Sequence, residues 1–301
     1  MTFPSSEAIK RAAKLIGDGE LVVFPTETVY GLGANALDAD AVRKIYDVKG
    51  RPLTSPLIVH VGSSIAAKVL AEPWSKTAQK LADRWWPGPL TLVVPKSKFV
   101  PDIVTAGLPT VGLRVPAHPV ALALLHETQF PLAAPSANRF TELSPTTAEH
   151  VRRSLGDRVA MILDGGPCTV GIESTVVSLA GPEPVLLRPG MISRREIEEE
   201  LDMPLRAHVQ EGEAHPSPGL HPRHYSPRTP LYLLPCKLPP GRGVTVEDLP
   251  RDPAGYAAHL YERLHALDQQ GWDWIAIEAP PDTPEWAAVL DRLRRAANPA
   301  A

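Results

Sequence analysis

The first 205 residues alternate short apolar segments with longer amphipathic ones, and this alternation restricts the fold more than any other feature. The segments ELVVFPT and PLTLVVP have the length and apolar composition of buried strands. The segment SSEAIKRAAKLIGDG places its apolar residues on one face of a helix that stops at glycines. Three strand-like segments then follow one another: VAMILDGG, ESTVVSLAG and PVLLRPG. This order predicts an α/β fold with a mixed sheet.

The rest of the chain divides into a proline-rich stretch and a second α/β segment. Residues 206–230 hold five prolines and show no periodicity, which predicts a semi-extended linker. Residues 231–301 contain the strand-like LYLLP and DWIAIEA and two amphipathic helical segments. We therefore predict a large domain over residues 1–205, a linker over 206–230 and a small α/β domain over 231–301.

Composition argues against several classes of protein. The two cysteines, Cys168 and Cys236, are far apart and form no CxxC, which argues against a disulfide framework and a cysteine-rich zinc module. The net charge of −3 gives no bulk electrostatic basis for binding nucleic acid. We see no signal-peptide pattern and no run of about 18 apolar residues. We expect a soluble cytoplasmic protein that does not contact a membrane.

The segment PTETVYGLG follows the first predicted strand and combines hydroxyl groups with bare backbone. Thr26, Thr28, Gly31 and Gly33 would lie at a strand end, where ligands bind in open α/β sheets. The Gly-x-Gly pair lacks the third glycine of a dinucleotide site. A tight turn with two incidental glycines is the alternative interpretation.

The segment KGRP contains one cation that helix capping does not explain. Lys49 and Gly50 have the residue types of a helix C-terminus, where a cation complements the helix dipole and glycine adopts the left-handed conformation. Arg51 lies between Gly50 and Pro52, both of which restrict the backbone in special ways. A guanidinium fixed there suits a phosphate or a carboxylate.

Two polar residues interrupt apolar strands. His60 in LIVHV is a residue type that is more often structural in a strand, although it could hydrogen-bond a ligand. Arg114 in VGLRVP is costly to bury unless it is paired, and its partner is either a protein carboxylate or a substrate carboxylate. Neither Arg51 nor Arg114 has an obvious acidic partner nearby in the sequence.

Several hydroxyl groups complete the inventory. Ser136 and Ser144 precede a predicted helix, a position that favours anions, although an N-cap role would fully explain Ser144. Ser174 and Arg188 lie on neighbouring predicted strands. No Walker A lysine, nucleophile motif or metal cage is visible. The set suits a polyanion bound beside a small zwitterion, without a protein nucleophile.

The order of these motifs resembles the YrdC/Sua5 family of threonylcarbamoyl-AMP synthases. The resemblance rests on FPTETVYGLG, KGRP…PLIVH, GPLTLVV, VGLRVPAHP, LAAPSAN, ESTVV and LLRPG, and the linker motif SPGLHPRHYSP resembles the longer Sua5 branch. It implies a YrdC-like twisted mixed sheet with flanking helices and a small Rossmann-like C-terminal domain. Between LYLLP and DPAGYAAHLY there is too little chain for the family's usual first helix and second strand, so we expect a shortened domain.

The resemblance also implies a reaction. Members of the family join L-threonine, bicarbonate or CO2, and ATP to give threonylcarbamoyl-adenylate and pyrophosphate, the donor for t6A modification of tRNA. Such a transfer requires positioning and charge neutralisation rather than a protein nucleophile. Mg2+ would arrive with the ATP phosphates, with no metal-ligand set on the protein. The product would pass to a tRNA threonylcarbamoyl transferase complex, and direct binding of tRNA is left open.

The family's site residues transfer to this chain by motif position. Threonine would be held by Thr28, His60, Arg114 and Ser174, with Arg114 on its carboxylate. ATP would contact Arg51, Ser55, Thr110, Ser136, Ser144, Arg188 and Tyr225. Lys49 and Arg51 are the implied catalytic cations, with Lys49 near the phosphates. Ser55 departs from the asparagine that is frequent in the family.

The linker is expected to close over the nucleotide, with Tyr225 covering it and Arg223 or His224 near phosphate. We therefore expect truncation after about residue 205 to leave a folded but impaired domain. Two alternative functions are a structured-RNA-binding module with a YrdC-like surface and a carbamoyl-transferring maturation factor. The second alternative usually carries CxxC zinc fingers, which the two isolated cysteines exclude here.

Overall fold

The computed structural model describes residues 3–207 and 225–297. The α-helices in these ranges are α1 (Ser6–Gly17), α2 (Ala39–Lys49), α3 (Ser64–Leu70), α4 (Lys76–Trp85), α5 (Asp102–Thr105), α6 (Pro119–Thr128), α7 (Ala148–Leu155), α8 (Arg194–Leu201), α9 (Pro253–Leu267) and α10 (Ala287–Ala296). The strands are β1 (Val22–Phe24), β2 (Gly31–Asn35), β3 (Ile58–His60), β4 (Leu90–Pro95), β5 (Thr110–Arg114), β6 (Leu132–Ala133), β7 (Met161–Ile162), β8 (Thr175–Ser178), β9 (Val185–Arg188), β10 (Arg206–Ala207), β11 (Leu231–Leu234), β12 (Gly243–Val246) and β13 (Trp274–Glu278).

The first ten strands form one sheet in the order β10-β9-β8-β4-β5-β3-β6-β2-β1-β7. The pairs β3·β5, β4·β8, β1·β7 and β9·β10 are parallel, whereas β4·β5, β8·β9, β1·β2, β2·β6 and β3·β6 are antiparallel. The predicted mixed α/β sheet is therefore confirmed. Strand β10 consists of two residues that the sequence analysis assigns to the linker.

Helix capping follows the sequence signals in two cases and departs from them in one. Gly50 ends α2 with φ 63°, as expected for a left-handed glycine cap. Ser193 and Glu196, which have the Ser-x-x-Glu spacing of a capping box, form one at α8. The prediction that Ser144 caps α7 is wrong, because Thr147 is the N-cap and accepts a hydrogen bond from the His150 amide. The hydroxyl of Ser144 is thereby free for another partner.

The two glycines of PTETVYGLG belong to a strand that the sequence analysis does not predict. Gly31 and Gly33 lie on β2, paired in register with Phe24 and Val22 of β1. A Cβ atom on Gly33 would lie 2.8 Å from the Phe24 ring, so glycine is required there by packing. The interpretation of Gly33 as bare backbone for a ligand is therefore wrong. The sequence does not predict strand β2 because glycine has no apolar side chain to show a strand pattern.

The C-terminal domain contains a second, all-parallel sheet in the order β11-β13-β12. Helix α9 connects β12 to β13, and α10 follows β13. The expectation that the second strand is missing is wrong, since β12 is present over the segment GVTV. The chain between β11 and β12 contains no helix in residues 235–242, all of which the structure describes.

A shared hydrophobic cluster joins the two domains. Val29, Leu143 and Ile172 of the first domain pack with buried residues of the second, among them Tyr261 and Leu264 of α9. Separating the domains would expose this apolar surface to water. Within residues 3–207 and 225–297, no helix has the length and hydropathy needed to cross a membrane.

Candidate active site

A charged cleft lies over the central strands of the large sheet, with an empty volume of about 540 Å³. Its walls come from β2, β3, β5 and β9, from the loops next to β1, α2, β6 and β8, and from the end of the linker. The lining residues are Thr26, Thr28, Val29, Gly31, Arg51, Ile58, His60, Arg114, Ala134, Pro135, Ser136, Glu173, Ser174, Arg188 and Tyr225. Cations, hydroxyls and one carboxylate from distant parts of the sequence thus share a single cleft.

Arg114 enters the cleft already paired. Its Nη2 donates to Glu27 Oε1 at 2.6 Å, its Nη1 to Thr28 Oγ1 at 2.9 Å, and its Nε to the Gly88 carbonyl at 3.2 Å. The second oxygen of Glu27 accepts from the Ala117 amide. Of the two partners that the sequence leaves open for Arg114, the structure contains the protein carboxylate, that of Glu27. These contacts take one N–H from each nitrogen, so each terminal nitrogen keeps an N–H for a further acceptor.

His60 presents a neutral imidazole beside Arg114. The two residues are register partners on the parallel strands β3 and β5. His60 is 4% exposed, and its Nδ1 has no hydrogen-bond partner among the described residues. Burial, reinforced by the Arg114 guanidinium, lowers the pKa of His60 to about 3. A buried polar atom without a partner is costly, so Nδ1 is available for a polar group of a ligand.

The two threonines after β1 form a local network. Thr26 Oγ1 donates to the Val29 carbonyl at 2.6 Å and lies 2.8 Å from Thr28 Oγ1. The amides of Thr28 and Val29 both donate to Thr26 Oγ1. This network orders the loop, and Thr28 also accepts from Arg114. The hydroxyls of Thr26 and Thr28 are therefore held in the cleft by an ordered turn.

Arg51 is fixed by the loop that follows it. Its Nη2 donates to Ser55 Oγ at 2.5 Å and to the Pro56 carbonyl at 3.0 Å. Burial lowers the pKa of Arg51 to about 10, so it stays cationic at neutral pH. Its guanidinium carbon lies 5.8 Å from the centre of the Phe140 ring. Ser55 does not line the cleft; it positions Arg51, which does.

Lys49 is buried behind the cleft and is not among its lining residues. Its ammonium donates to the carbonyls of Ser136 and Asn138, and it lies 3.4 Å from Asn138 Oδ1. Burial and the neighbouring Arg51 lower the pKa of Lys49 well below its ordinary value. In this structure the ammonium uses its three donors to hold the loop that carries Ser136.

Arg188 connects the loop before β8 to the linker. Its Nε and Nη2 donate to the carbonyl and hydroxyl of Ser174, at 3.1 and 3.2 Å. Its Nη1 donates to the Tyr225 hydroxyl at 3.5 Å. Ser174 Oγ also lies 2.8 Å from Thr91 Oγ1. Tyr225 is almost fully buried with φ 63°, a backbone conformation that tyrosine rarely adopts.

Glu173 is the one carboxylate in the cleft wall, and sequence reasoning missed it. Its Oε1 accepts from Ser144 Oγ at 2.5 Å, and its Oε2 accepts from Arg292 Nε at 2.7 Å. Tyr261 also donates to Oε2, at 3.3 Å. Burial raises the pKa of Glu173, but Arg292, Arg188 and the Ser144 hydrogen bond outweigh it and lower the pKa overall.

The cleft brings together most of the residues selected from the sequence. Thr28, Arg51, His60, Arg114, Ser136, Ser174, Arg188 and Tyr225 line it. The lining does not include Gly33, Lys49, Ser55, Thr110 or Ser144, and the linker residues Arg223 and His224 lie outside the residues that the structure describes. Ser55 and Ser144 each contact a lining residue, Arg51 and Glu173 respectively. Thr110 begins β5, and Arg114 ends the same strand.

A larger groove on the first domain has a different character. Its empty volume is about 1320 Å³, and His126 is the one titratable residue in its lining. The other lining residues are mainly apolar, and Val69 and Phe99 are more than half exposed. A groove of this kind cannot neutralise an anion. The smaller charged cleft is therefore the candidate active site.

Family comparison agrees with the fold. A Sua5/YciO/YrdC family profile, described as "Telomere recombination", matches residues 14–190. A second profile, described as "Threonylcarbamoyl-AMP synthase, C-terminal domain", matches residues 192–298. The chain belongs to the Sua5/YrdC family. The resemblance carried by the sequence motifs is thereby confirmed.

Members of the Sua5 family match this chain over most of its length. It is 43% identical to the threonylcarbamoyl-AMP synthase of Bacillus subtilis, covering 96% of this chain and 93% of the relative. The structure of Pyrococcus abyssi Sua5 complexed with L-threonine matches with a TM-score of 0.91 and 38% identity, covering 97% of this chain and 95% of the other. Escherichia coli YciO matches 62% of this chain and 91% of its own, with a TM-score of 0.55 and 25% identity.

Proposed function

We propose that this chain is a threonylcarbamoyl-AMP synthase, which converts L-threonine, bicarbonate or CO2, and ATP into threonylcarbamoyl-AMP and pyrophosphate. The observation that carries the proposal is the match to P. abyssi Sua5 with L-threonine, over 97% of this chain. The cleft supports it, because an arginine, a neutral imidazole and hydroxyls stand together where an amino acid could be held. The relatives' activity favours the synthase over the RNA-binding module and the maturation factor.

In the proposed reaction the threonine amine bonds to the carbon of CO2 and releases a proton, giving a carbamate. A carbamate oxygen then bonds to the α-phosphorus of ATP, and the bond between that phosphorus and the bridging oxygen breaks to release pyrophosphate. Arg114 binds the threonine carboxylate through its remaining N–H groups, with Thr28, His60 and Ser174 around the amino acid. A cleft that fixes both partners supplies the positioning on which such a transfer depends.

On the nucleotide side, the proposed contacts are Arg51, Ser136, Arg188 and Tyr225, all of which line the cleft. Ser55 acts by holding Arg51, and Ser144 acts by holding Glu173. Thr110 lies outside the lining of the cleft, and Lys49 would have to release one of its carbonyl acceptors to contact the nucleotide. The cations Arg51 and Arg188 are the groups that would face developing charge on the phosphates.

No group of three or more histidine, cysteine, aspartate or glutamate side chains in residues 3–207 and 225–297 could hold a metal ion. The side chains of the cleft therefore do not provide a metal cage of their own. We propose that Mg2+ is carried in by the ATP phosphates. We further propose that the enzyme acts in the cytoplasm and passes its product to a tRNA threonylcarbamoyl transferase complex.

Pyrophosphate release from ATP tests the function directly. We expect release only when L-threonine and bicarbonate are both present, and we expect serine to be a poorer substrate. One methyl group in a fitted pocket is worth about 1–3 kcal/mol of discrimination. Equal release with serine, or with no amino acid, would remove the threonine assignment. RNA binding that depends on salt, without ATP turnover, would favour the RNA-binding module instead.

A further inference from the structure

One wall of the charged cleft is completed by an arginine from the C-terminal domain. Arg292 of α10 is fully buried. Its Nε donates to Glu173 Oε2 at 2.7 Å and its Nη2 to the Glu173 carbonyl at 3.2 Å. Its Nη1 donates to the Pro189 carbonyl at 3.0 Å and to Asp291 Oδ2 at 2.7 Å. A single guanidinium from the second domain therefore holds both the side chain and the backbone of Glu173.

The same guanidinium also reaches the linker residue in the cleft. Its central carbon lies 5.2 Å from the centre of the Tyr225 ring, a cation–π distance. Tyr225 in turn lies 6.1 Å from the Tyr261 ring, in a stacked arrangement. Arg292 thus contacts two lining residues, Glu173 and Tyr225, although it does not line the cleft itself.

The charge of Glu173 poses a problem for the proposed substrate. ATP brings several negative charges into the cleft, and a carboxylate in its wall would repel them. A buried carboxylate also loses hydration, which hydrogen-bond donors and a paired cation must replace. Arg188, the other nearby arginine, directs its Nε and Nη2 to Ser174. Arg188 helps to stabilise the charge of Glu173, and Arg292 donates a hydrogen bond directly to the carboxylate.

We propose that Arg292 is a positioning residue for the nucleotide: it neutralises Glu173 and fixes it against Ser144, so that the cleft wall accepts a polyphosphate. The inference rests on the proposed synthase function. It assigns the C-terminal domain a defined task, the supply of one buried positive charge to a site built by the other domain.

The test compares full-length variants by their Michaelis constants for ATP and for threonine. Arg292→Met keeps an apolar stem but removes the charge, and Arg292→Met with Glu173→Gln removes both charges. We expect the single variant to raise KM for ATP about tenfold or more, with KM for threonine within about twofold of wild type. We expect the double variant to return KM for ATP to within about threefold of wild type.

Arg294→Met is the matched control, because Arg294 lies on the same helix, is exposed and pairs only with Asp282 at 3.0 Å among the described residues. It should keep wild-type constants. A double variant as impaired as Arg292→Met would overturn the proposal, because a purely structural role for Arg292 is not repaired by removing the opposite charge.

If Arg292→Met does not fold, Glu173→Gln alone remains decisive. We expect it to lower KM for ATP below that of wild type, because the wall loses a negative charge. A tenfold rise would contradict the proposal. The assay separates the two levels of inference: a wild-type enzyme without threonine-dependent pyrophosphate release contradicts the proposed function, whereas an active wild type with unchanged Arg292→Met constants contradicts only the role of Arg292.

Discussion

Arg114 and Glu27 form a buried ion pair, with 2.6 Å between Nη2 and Oε1. Glu27 is held in turn by the Ala117 amide. The guanidinium is therefore oriented before any ligand arrives, and only its remaining N–H groups face a new acceptor. Preorganisation of this kind lowers the cost of binding a carboxylate.

Arg114→Ala tests the threonine site. We expect KM for threonine to rise about 10- to 100-fold, since a charge-assisted hydrogen bond contributes about 1.5–3 kcal/mol. Arg114→Lys should not restore it, because an ammonium cannot reproduce the fork that reaches Glu27 and Thr28. Steady-state kinetics with varied threonine provide the measurement.

Removing Arg114 also leaves Glu27 buried without its cation, which costs about 3–5 kcal/mol of unfolding free energy. Arg114→Ala with Glu27→Gln is the control, because it should recover much of the stability without recovering threonine affinity. If Arg114→Ala folds and keeps the wild-type KM for threonine, the arginine is structural and the site is misplaced.

Arg51→Ala should weaken ATP use. Its guanidinium lines the cleft and remains cationic at neutral pH, so its loss removes a charge-assisted contact to phosphate worth about 1.5–3 kcal/mol. We expect KM for ATP to rise by one to two orders of magnitude in the pyrophosphate assay. Arg43→Ala, an exposed arginine on α2, is the control and should behave as wild type. Equal constants for both variants would contradict the assignment.

Tyr225→Phe isolates the contribution of the tyrosine hydroxyl. The ring keeps its contacts with Arg292 and Tyr261, and the hydrogen bond from Arg188 is lost. We expect KM for ATP to rise about two- to twelvefold, in line with a net hydrogen bond of about 0.5–1.5 kcal/mol. Tyr225→Ala should have a larger effect. If Tyr225→Ala keeps wild-type turnover and ATP affinity, the end of the linker only connects the two domains and does not contribute to the site.

Truncation after residue 205 is a poorer test than the sequence suggests. The shared cluster that contains Val29, Leu143 and Ile172 would lose its C-terminal partners. We expect the truncated chain to melt at a lower temperature. A loss of activity could then result from lower stability as well as from loss of the linker. Full-length Tyr225 variants avoid this ambiguity.

Two stacked histidines, together with the buried His60, should weaken the folded state in mild acid. The ring centres of His150 and His265 lie 3.9 Å apart, and His265 Nε2 is 3.1 Å from the carbonyl oxygen of Ser144. Burial lowers the pKa of His150 to about 3 and that of His265 to about 4. Both therefore stay neutral in the folded chain at a pH where the unfolded chain, with an ordinary value of about 6.5, is protonated.

Stability from these histidines is fully present above pH of about 6.5 and is lost as the pH falls towards 4. We expect urea denaturation to show a loss of about 1–3 kcal/mol between pH 7 and pH 5. His150→Phe keeps an aromatic ring and should reduce the slope, whereas His259→Gln, at an exposed position, should not. A slope unchanged by His150→Phe would assign the acid sensitivity to other groups.

Periodicity and motif order predict much of the fold, because the strands that carry His60, Arg114 and Arg188 are apolar and bounded by turns. Strand β2 escapes prediction because its glycines carry no apolar pattern, and the short α3 has too few residues for a clear period. Ser144 has the residue type of an N-cap, yet the helix begins later because Thr147 offers an equivalent hydroxyl.

The acidic partners of the site could not be found from sequence. Glu27 lies 87 positions from Arg114, and Glu173 lies 119 positions from Arg292. No local pattern relates residues so far apart; only the strand order and the packing of the second domain bring them together. For Lys49 the residue type suggests a contact with phosphate, but in the structure its ammonium donates to the backbone carbonyls of Ser136 and Asn138.

The strand order fixes the distance along the sheet between two strands that carry cleft residues. His60 lies on β3 and Arg188 on β9, and four steps separate them in the sequence β3-β5-β4-β8-β9. At about 4.8 Å for each step, the span is about 19 Å along the sheet. The spacing of the two strands that carry these cleft residues is thus set by hydrogen-bonded backbone geometry. Changes in the length of a surface loop leave this spacing between the strands unaltered.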